Sequence, residues 1–378
     1  MSIYRRIEDI CDSVLCWFWR VFIFIHETKN IFKKRKLLKD IKLTNEQKNE
    51  INCLWEKNYG KKIPHWWHRL YQSYTGEFDV NYFPEYIYST NIEPFANQRF
   101  IVRTLGDKNL LDVLFDKKPN IDVRTPLTIL SMVNGNFFNG NRIPISKSHA
   151  NELLENIGEV IIKITIDSNS GKGVKLFDIK NGIDQKSQLT VDNILKMMGP
   201  NLIVQERLVA HEAFSTIYPH SINTIRIVTY SLENEIFSAP LTMRIGQGGN
   251  YIDNAHAGGM FIGVSDEGCL ASEAFTEYQK RYKKHPDTGI IFDGYKIPYV
   301  REMIDSAKKL HSILPQCMFL SWDFMVDKNG SLVLIEVNIE SQTIWFPQMA
   351  NGRSFFGDNT EKMINISRRL RNGRENNI

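Results

Sequence analysis

The sequence predicts an α+β fold built mainly on antiparallel sheet and preceded by a helical N-terminal region. Two observations carry this expectation. From residue 96 onward, short apolar stretches with strand character alternate with amphipathic helical stretches. Consecutive strands are joined by hairpin-type turns, as in 224–245 and 319–338, which favours antiparallel over doubly wound parallel sheet. The 378 residues allow a large buried core, and 42% hydrophobic with 24% charged residues is a globular composition. No apolar run reaches the roughly 18–20 residues that span a bilayer. Five cysteines at wide spacings, with no CxxC pair, indicate neither a zinc ribbon nor a disulfide scaffold and fit a reducing compartment.

Residues 1–42 form a basic and apolar segment, with ten Lys/Arg against five Asp/Glu. It contains VLCWFWRVFIFI over 14–25, followed by FKKRKLLK over 32–39. The apolar run is too short to span a membrane, holds Arg20, and is followed by no small-residue cleavage site. It reads as a helix packed on the body or on a partner chain. The alternative is a peripheral anchor, with Trp17, Trp19 and Phe22 among headgroups and the basic cluster on anionic lipid. Residues 366–378 form a basic tail with four Arg against one Glu. The body between the two basic segments is mildly acidic, which speaks against a nucleic-acid groove there.

Residues 43–95 are helical and rich in aromatic side chains. Thr44 and Gln47 form a capping box, Ile51, Leu54 and Trp55 supply an apolar stripe, and Gly60 is a stop. His65-Trp66-Trp67-His68 reads as a packed aromatic connector rather than a metal or stacking site. Strands are predicted over Val160–Ile164, Val174–Ile179, Leu202–Gln205, Thr224–Ser231, Pro240–Ile245, Met260–Val264, Phe319–Val326 and Ser331–Val337. Helices are predicted over Ser146–Ile157, Thr190–Met198 and Tyr299–Leu314.

The most informative stretch runs from Leu320 to Asn338. Asn329-Gly330 between two apolar runs signals a hairpin. A two-residue turn pairs Lys328 with Ser331 and sets Asp323 directly opposite Glu336, with Asn338 two residues further on the same face. Met325 and Leu334 are expected as their apolar neighbours on that face. Like charges placed opposite one another are destabilising. Two carboxylates and an amide oxygen on one face therefore ask for a hard cation, Mg²⁺ (or Mn²⁺), rather than zinc. The alternative is an amphipathic hairpin whose carboxylates face solvent. A one-residue slip of register would turn one strand's side chains to the other face.

A second stretch, Ile161 to Phe177, reads as strand, glycine-rich turn, strand. Its centre, Ser168-Asn169-Ser170-Gly171-Lys172-Gly173, offers backbone N–H groups and a charge to an anion. It is neither a Walker A loop nor a GxGxxG fingerprint, and no helix follows. Lys163 lies among Val and Ile, where an unpaired ammonium is costly, and a phosphate would be a suitable partner.

The order is lysine, glycine-rich hairpin, Gln205-Glu206-Arg207-Leu208 after an apolar strand, then Asp…Glu-x-Asn. It resembles the ATP-grasp enzymes. The chain is most similar to the sugar-transfer-associated ATP-grasp family, found among bacterial surface-polysaccharide genes. The residues that carry the resemblance include Asp107-Lys108-Asn109, Lys163, Ser170 to Gly173, Gln205-Glu206 and Ser221 to Arg226. They continue with Arg244-Ile245-Gly246, Asp253-Asn254, Gly258-Gly259, Trp322-Asp323 and Glu336-Val337-Asn338.

The resemblance implies two α+β lobes whose antiparallel sheets sandwich ATP. The ATP-grasp domain would span 96–365, with an N-terminal part (96–159), a phosphate-loop lobe (160–210) and a metal and substrate lobe (211–365). Lys108 and Lys163 would hold the α/β-phosphates, and Ser170, Gly171, Lys172 and Gly173 would close over the β/γ-phosphates. Gln205, Glu206, Arg207 and Leu208 would form the hinge strand at adenine, with His211 or Glu212 at ribose. Asp323, Glu336 and Asn338 would hold the metal. Arg226 and Arg244 are out of place as core strand residues and suit a carboxylate or a transferring phosphate, the alternative being a structural salt bridge. Asn223, Asn254 and His256 are candidates for substrate contact, the two asparagines also for a second metal or, alternatively, for turn chemistry.

The expected activity is an ATP-dependent carboxylate–amine ligase working through an acyl phosphate on a sugar or amino acid in surface polysaccharide biosynthesis. It would be cytoplasmic, with at most a peripheral contact at the inner face of the membrane through residues 14–39. A kinase on the same scaffold and a non-catalytic nucleotide-binding or docking protein are the alternatives.

Overall fold

A computed structural model describes residues 3–97, 102, 104–166, 173–251, 253, 255, 258–340 and 342–371. Two antiparallel sheets organise them. The first has seven strands: β1 (Thr128–Val133), β2 (Asn136–Asn139), β3 (Pro144–Ile145), β4 (Gly158–Ile164), β5 (Val174–Lys180), β6 (Ile183–Asp184) and β7 (Leu202–Glu206), in the order β3-β2-β1-β7-β4-β5-β6. The second is built from β8 (Ile225–Leu232), β9 (Glu235–Ser238), β10 (Leu241–Ile245), β11 (Met260–Val264), β12 (Ala274–Phe275), β13 (Arg281–Tyr282), β14 (Phe319–Val326) and β15 (Leu332–Asn338). Its order is β13-β12-β11-β10-β8-β14-β15, with β9 paired to β8.

Each sheet buries one face under helices, which follows from strand alternation. In the first sheet Val160 and Ile162 of β4, Leu202 and Val204 of β7, and Phe177 and Ile179 of β5 pack against Ala150, Leu154, Val191 and Leu195 of the helices Lys147–Leu154 and Val191–Met198. Thr190 caps the second of these and Gly199 ends it. The alternate residues, Ile161 and Lys163, face the other way. In the second sheet Ile225, Ile227, Leu241, Met243, Leu320, Trp322 and Phe324 pack on Val300, Met303, Ala307 and Leu310 of the helix Val300–His311. The opposite face carries Arg226, Arg244 and Asp323.

The predicted strands match observed ones to within two residues at either end. The hairpin β1–β2 was not among the predictions. Asn134-Gly135 supplies two consecutive left-handed residues there (φ 50° and 81°), the turn that joins Val133 to Asn136. The predicted helix Tyr299–Leu314 runs from Val300 to His311, and Ser146–Ile157 runs from Lys147 to Leu154.

The capping box at Thr44 is present: Gln47 N donates to Thr44 Oγ1 (3.1 Å) and Thr44 N donates to Gln47 Oε1 (2.9 Å). Trp55, Tyr59, Phe83 and Tyr88 of the region after it pack on β8, on β14 and on the C-terminal helix Thr360–Arg371. His68 is buried in this aromatic region beside Tyr82, and burial pushes its imidazole down to about 3. It is a packed neutral side chain rather than a ligand. A long helix, α1 (Ile3–Lys33), lies on the outside, and Arg20 and Lys34 tie it to the body.

Candidate functional site

The cleft face of the second sheet carries a row of charges set by register. Asp323 of β14 lies opposite Arg226 of β8 on one side and opposite Glu336 of β15 on the other. The Asp323–Glu336 pairing is the expected one, but the route to it differs. The turn is three residues long, because Asp327 N bonds Ser331 O and Gly330 N bonds Asp327 O. Strand pairing accordingly starts one residue out of the expected register, with Val326 opposite Leu332. A β-bulge between Asp323 and Phe324, which leaves Ile335 as the extra residue, then restores it. The bulge matters for polarity. Leu332 and Leu334 point into the core under the helix layer, so without the extra residue Glu336 would follow them there. Leu334 is therefore not a neighbour of Asp323 on the cleft face.

Asp323 is almost fully buried. Arg226 Nε donates to Oδ1 (2.8 Å) and Arg226 Nη2 to Oδ2 (2.7 Å), a bidentate pair, and Arg244 Nη1 reaches Oδ2 at 3.3 Å. Burial alone would raise this carboxyl, but the two guanidinium groups outweigh it and hold it below its ordinary value. Arg244 is shared with a second buried carboxylate, Asp253 (2.6 Å), which also accepts from Thr224 N and Oγ1. Burial opposes the charge of Arg244, and Asp253 and Asp323 more than offset it. Among the described residues Arg244 Nε has no hydrogen-bond partner.

Across the cleft, Lys108 sits in a short helical turn capped by Asp107, and its backbone N bonds Thr165 O at the end of β4. Its Nζ lies 3.2 Å from Glu336 Oε1. Lys163 faces the same carboxylate. Burial and the charge of Lys108 push its ammonium down to about 8, and Glu336 pulls the other way. Lys163 of the first sheet, Lys108 of the helical turn beside it and the carboxylate hairpin of the second sheet thus meet at one place. Glu336 is its accessible acid, with a third of its side chain exposed.

The glycine-rich turn is seen at its far end. Gly173 is left-handed (φ +80°), and its carbonyl accepts from Ile164 N. A Cβ there would meet Ile164 Cδ1 at 2.8 Å, so the closing of β4 on β5 needs glycine. Ser170, Gly171 and Lys172 lie outside the described residues, as do Asn254 and His256.

The segment Gln205–Leu208 leaves β7 toward the second sheet. Gln205 is buried. Glu206 Oε1 accepts from Leu127 N (2.8 Å) and from Arg124 Nη1 (2.6 Å). Arg124 also holds Asp327 at the hairpin turn (Nη2 to Oδ2, 2.8 Å). Arg207 is exposed and pairs with Glu159, and Leu208 is half-buried.

Asn223 requires a revision. It is fully buried and left-handed (φ 59°). Its Oδ1 accepts from Ser221 Oγ (2.6 Å) and Gly246 N, and its Nδ2 donates to Phe214 O and Tyr218 O. Every polar atom has an internal task, so Asn223 serves turn chemistry rather than substrate contact. Asp253, Arg124 and Asp327 had no place among the expected site residues. Asp253 stood in the quoted Asp-Asn pair, and only its packing against Arg244 reveals its task.

The donor set on the cleft face suits a hard cation. It consists of carboxylate and amide oxygens from Asp323, Glu336 and Asn338. Among the described residues no group of three or more His, Cys, Asp and Glu side chains converges. Among the described residues Glu336 pairs with Lys108 and with no arginine, whereas both Asp323 oxygens are engaged by guanidinium groups.

Residues 88–363 match the sugar-transfer-associated ATP-grasp family, and the chain belongs to it. Its fold is the α+β ATP-grasp fold. Solved structures resemble it distantly. N5-carboxyaminoimidazole synthetase from Staphylococcus aureus complexed with ADP is 11% identical with a TM-score of 0.32, over 68% of this chain and 47% of that one. D-alanyl-alanine synthetase A from Vibrio cholerae is 13% identical with a TM-score of 0.37, over 75% and 66%. The ATP-grasp ligase PsnB, complexed with precursor peptide PsnA2 and AMPPNP, is 11% identical with a TM-score of 0.37, over 72% and 63%. The chain thus spans about half to two thirds of the length of these structures. No curated protein sequence matches it.

Proposed function

We propose that this member of the sugar-transfer-associated ATP-grasp family is an ATP-dependent ligase that joins a carboxylate to an amine through an acyl phosphate. Its substrates would be sugars or amino acids of surface polysaccharide biosynthesis. The observation that supports this best is the meeting of Lys108 and Lys163 with the Asp323–Glu336–Asn338 hairpin in one cleft. ATP would bind between the two sheets, with adenine along Gln205–Leu208 and the α/β-phosphates on Lys108 and Lys163. Ser170 to Gly173 would cover the β/γ-phosphates. His211, whose Nδ1 accepts from Ala213 N, or the exposed Glu212 would contact ribose. Asp323, Glu336 and Asn338 would hold Mg²⁺ or Mn²⁺, which supplies charge neutralisation between phosphate oxygens.

A carboxylate oxygen of the first substrate attacks the γ-phosphorus and ADP leaves. The amine nitrogen then attacks the acyl carbon, loses a proton and expels inorganic phosphate. Three anions approach one another in this sequence, and cations must offset their repulsion. Arg226 and Arg244, held rigid by Asp323 and Asp253, would present their outer N–H groups to the reacting carboxylate and phosphate. Asn254 and His256 would lie on the substrate side.

The test is ADP release by the purified chain with pairs of carboxylates and amines. ADP and phosphate appearing only when both substrates are present supports the ligase. A phosphorylated product that accumulates without any amine would instead make the protein a kinase.

A further inference from the structure

We propose that the outward face of α1, with the basic residues that flank it, is a docking surface for an anionic lipid bilayer. α1 contacts the body along one side, with Phe24 edge-on to Tyr86 and Phe32 against Trp66 at its margins. Arg20 Nε donates to Thr90 O (2.9 Å) and Nη2 to Leu370 O (3.1 Å), Ile31 is buried, and Lys34 is buried against Glu277 (2.9 Å). At about 100° per residue, Arg20, Ile23, Glu27, Ile31 and Lys34 fall on one line of the helix.

The rest of the surface is unusually apolar. Trp17, Phe18 and Phe22 are 59–60% exposed, and Val14, Leu15, Trp19, Phe24, Ile25 and Phe32 are about half exposed. These residues cover more than half of the helix circumference. A groove on a protein partner covers one stripe of a helix, whereas a coat this wide suits a fluid medium that surrounds it. Exposed Trp and Phe side chains are the ones that settle among headgroups and the upper acyl chains. No helix among the described residues is long and apolar enough to cross a membrane, so the contact is a shallow one.

Charge selects the kind of surface. Lys29, Lys33, Arg35, Lys36, Lys39 and Lys42 are all exposed, and Asp40 is the one acid in 29–42. Phe24, Ile25 and Phe32 line a shallow groove with Lys29, Lys33 and Arg35, which gives an apolar floor and a cationic rim. That pairing matches an acyl chain below a phosphate. The exposed Arg368 and Arg369 belong to the C-terminal helix whose Leu370 carbonyl Arg20 holds. The two basic stretches of the sequence, remote along the chain, thus flank one apolar helix.

The test is co-sedimentation of the full chain with vesicles of phosphatidylcholine alone or mixed in equal parts with phosphatidylglycerol. Binding to the mixed vesicles is expected, with a blue shift of tryptophan emission, weak binding to the neutral ones, and release by added salt. Lys33→Gln/Lys36→Gln/Lys39→Gln should weaken binding roughly fivefold per charge removed. Trp17→Ser/Phe22→Ser should weaken it more than tenfold. These side chains are exposed, so the thermal midpoint should stay unchanged. Equal affinity for the two vesicle types in the wild type overturns the proposal and needs no variant. No vesicle binding, with a concentration-dependent dimer lost in Trp17→Ser/Phe22→Ser, also overturns it and gives the surface to a second copy.

Discussion

Two arginine–carboxylate networks lie four residues apart on one hairpin, and they differ in a way that separates scaffold from site. At the turn, Asp327 takes Arg124 Nε and Nη2 on one oxygen and the backbone N–H groups of Asn329 and Ser331 on the other. Arg124 gives its remaining nitrogen to Glu206, which also takes Leu127 N. That network ties the first sheet to the second. At the cleft, Asp323 is just as well paired, yet its surroundings are unfinished. Arg244 Nε lacks a partner among the described residues, Lys163 is held at about 8, and Glu336 stays accessible. A buried polar group without a partner is costly, and one in a cleft beside a perturbed lysine marks where a ligand completes the structure.

The largest expected effect concerns Asp323. Asp323→Ala leaves two largely buried guanidinium groups without their shared anion and should cost about 3–5 kcal/mol in urea unfolding, with activity abolished. A loss below about 1 kcal/mol would break the view that this carboxylate is the structural centre of the cleft.

Arg124→Ala tests the other network. Asp327 keeps its backbone donors, so the loss should be about 1–2 kcal/mol, with Mg·ATP affinity within about threefold of wild type. A large loss of ATP affinity at unchanged stability would move the turn network from scaffold to site.

A smaller effect follows from Lys163. Its folded-state value is lowered to about 8, so the ammonium is charged below that pH and neutral above it. A neutral lysine cannot offset phosphate charge. Mg·ATP affinity should therefore fall as pH rises through about 8, by up to about tenfold per unit, and the profile should flatten in Lys163→Met. The stability sign is opposite. Between about 8 and the ordinary lysine value the unfolded chain binds the extra proton, so folding stability rises with pH there. Calorimetric titration across this range checks the first statement and urea unfolding the second.

Much of the cleft was legible in the sequence because strand periodicity and turn signals are local. Asn329-Gly330 located the hairpin, and Asp323 was placed opposite Glu336. The agreement hides two offsetting errors, since an extra turn residue and a bulge at Ile335 cancel. Turn length depends on Asp327 accepting from Asn329 N and Ser331 N, a detail that apolar alternation does not encode. Asn223 and Asp253 were misjudged or passed over for a related reason. Whether an asparagine faces a ligand or its own backbone is settled by partners such as Phe214 O and Tyr218 O, which are distant in any sequence window. The β1–β2 hairpin carried the same Asn-Gly signal as the carboxylate hairpin and was readable on that rule.

The most direct measurement is the thermal midpoint with and without Mg·ATP, for wild type and Glu336→Ala. The partly exposed Glu336–Lys108 pair contributes little stability, so the free variant should lie within about 1 kcal/mol of wild type. Mg·ATP at about 100 times its Kd should stabilise wild type by about 2.7 kcal/mol, a shift of a few degrees. In Glu336→Ala the Mg²⁺-dependent part of that shift should vanish. An equal shift in both proteins, or none in wild type at millimolar ATP, would contradict the assignment of the cleft as an ATP–metal site.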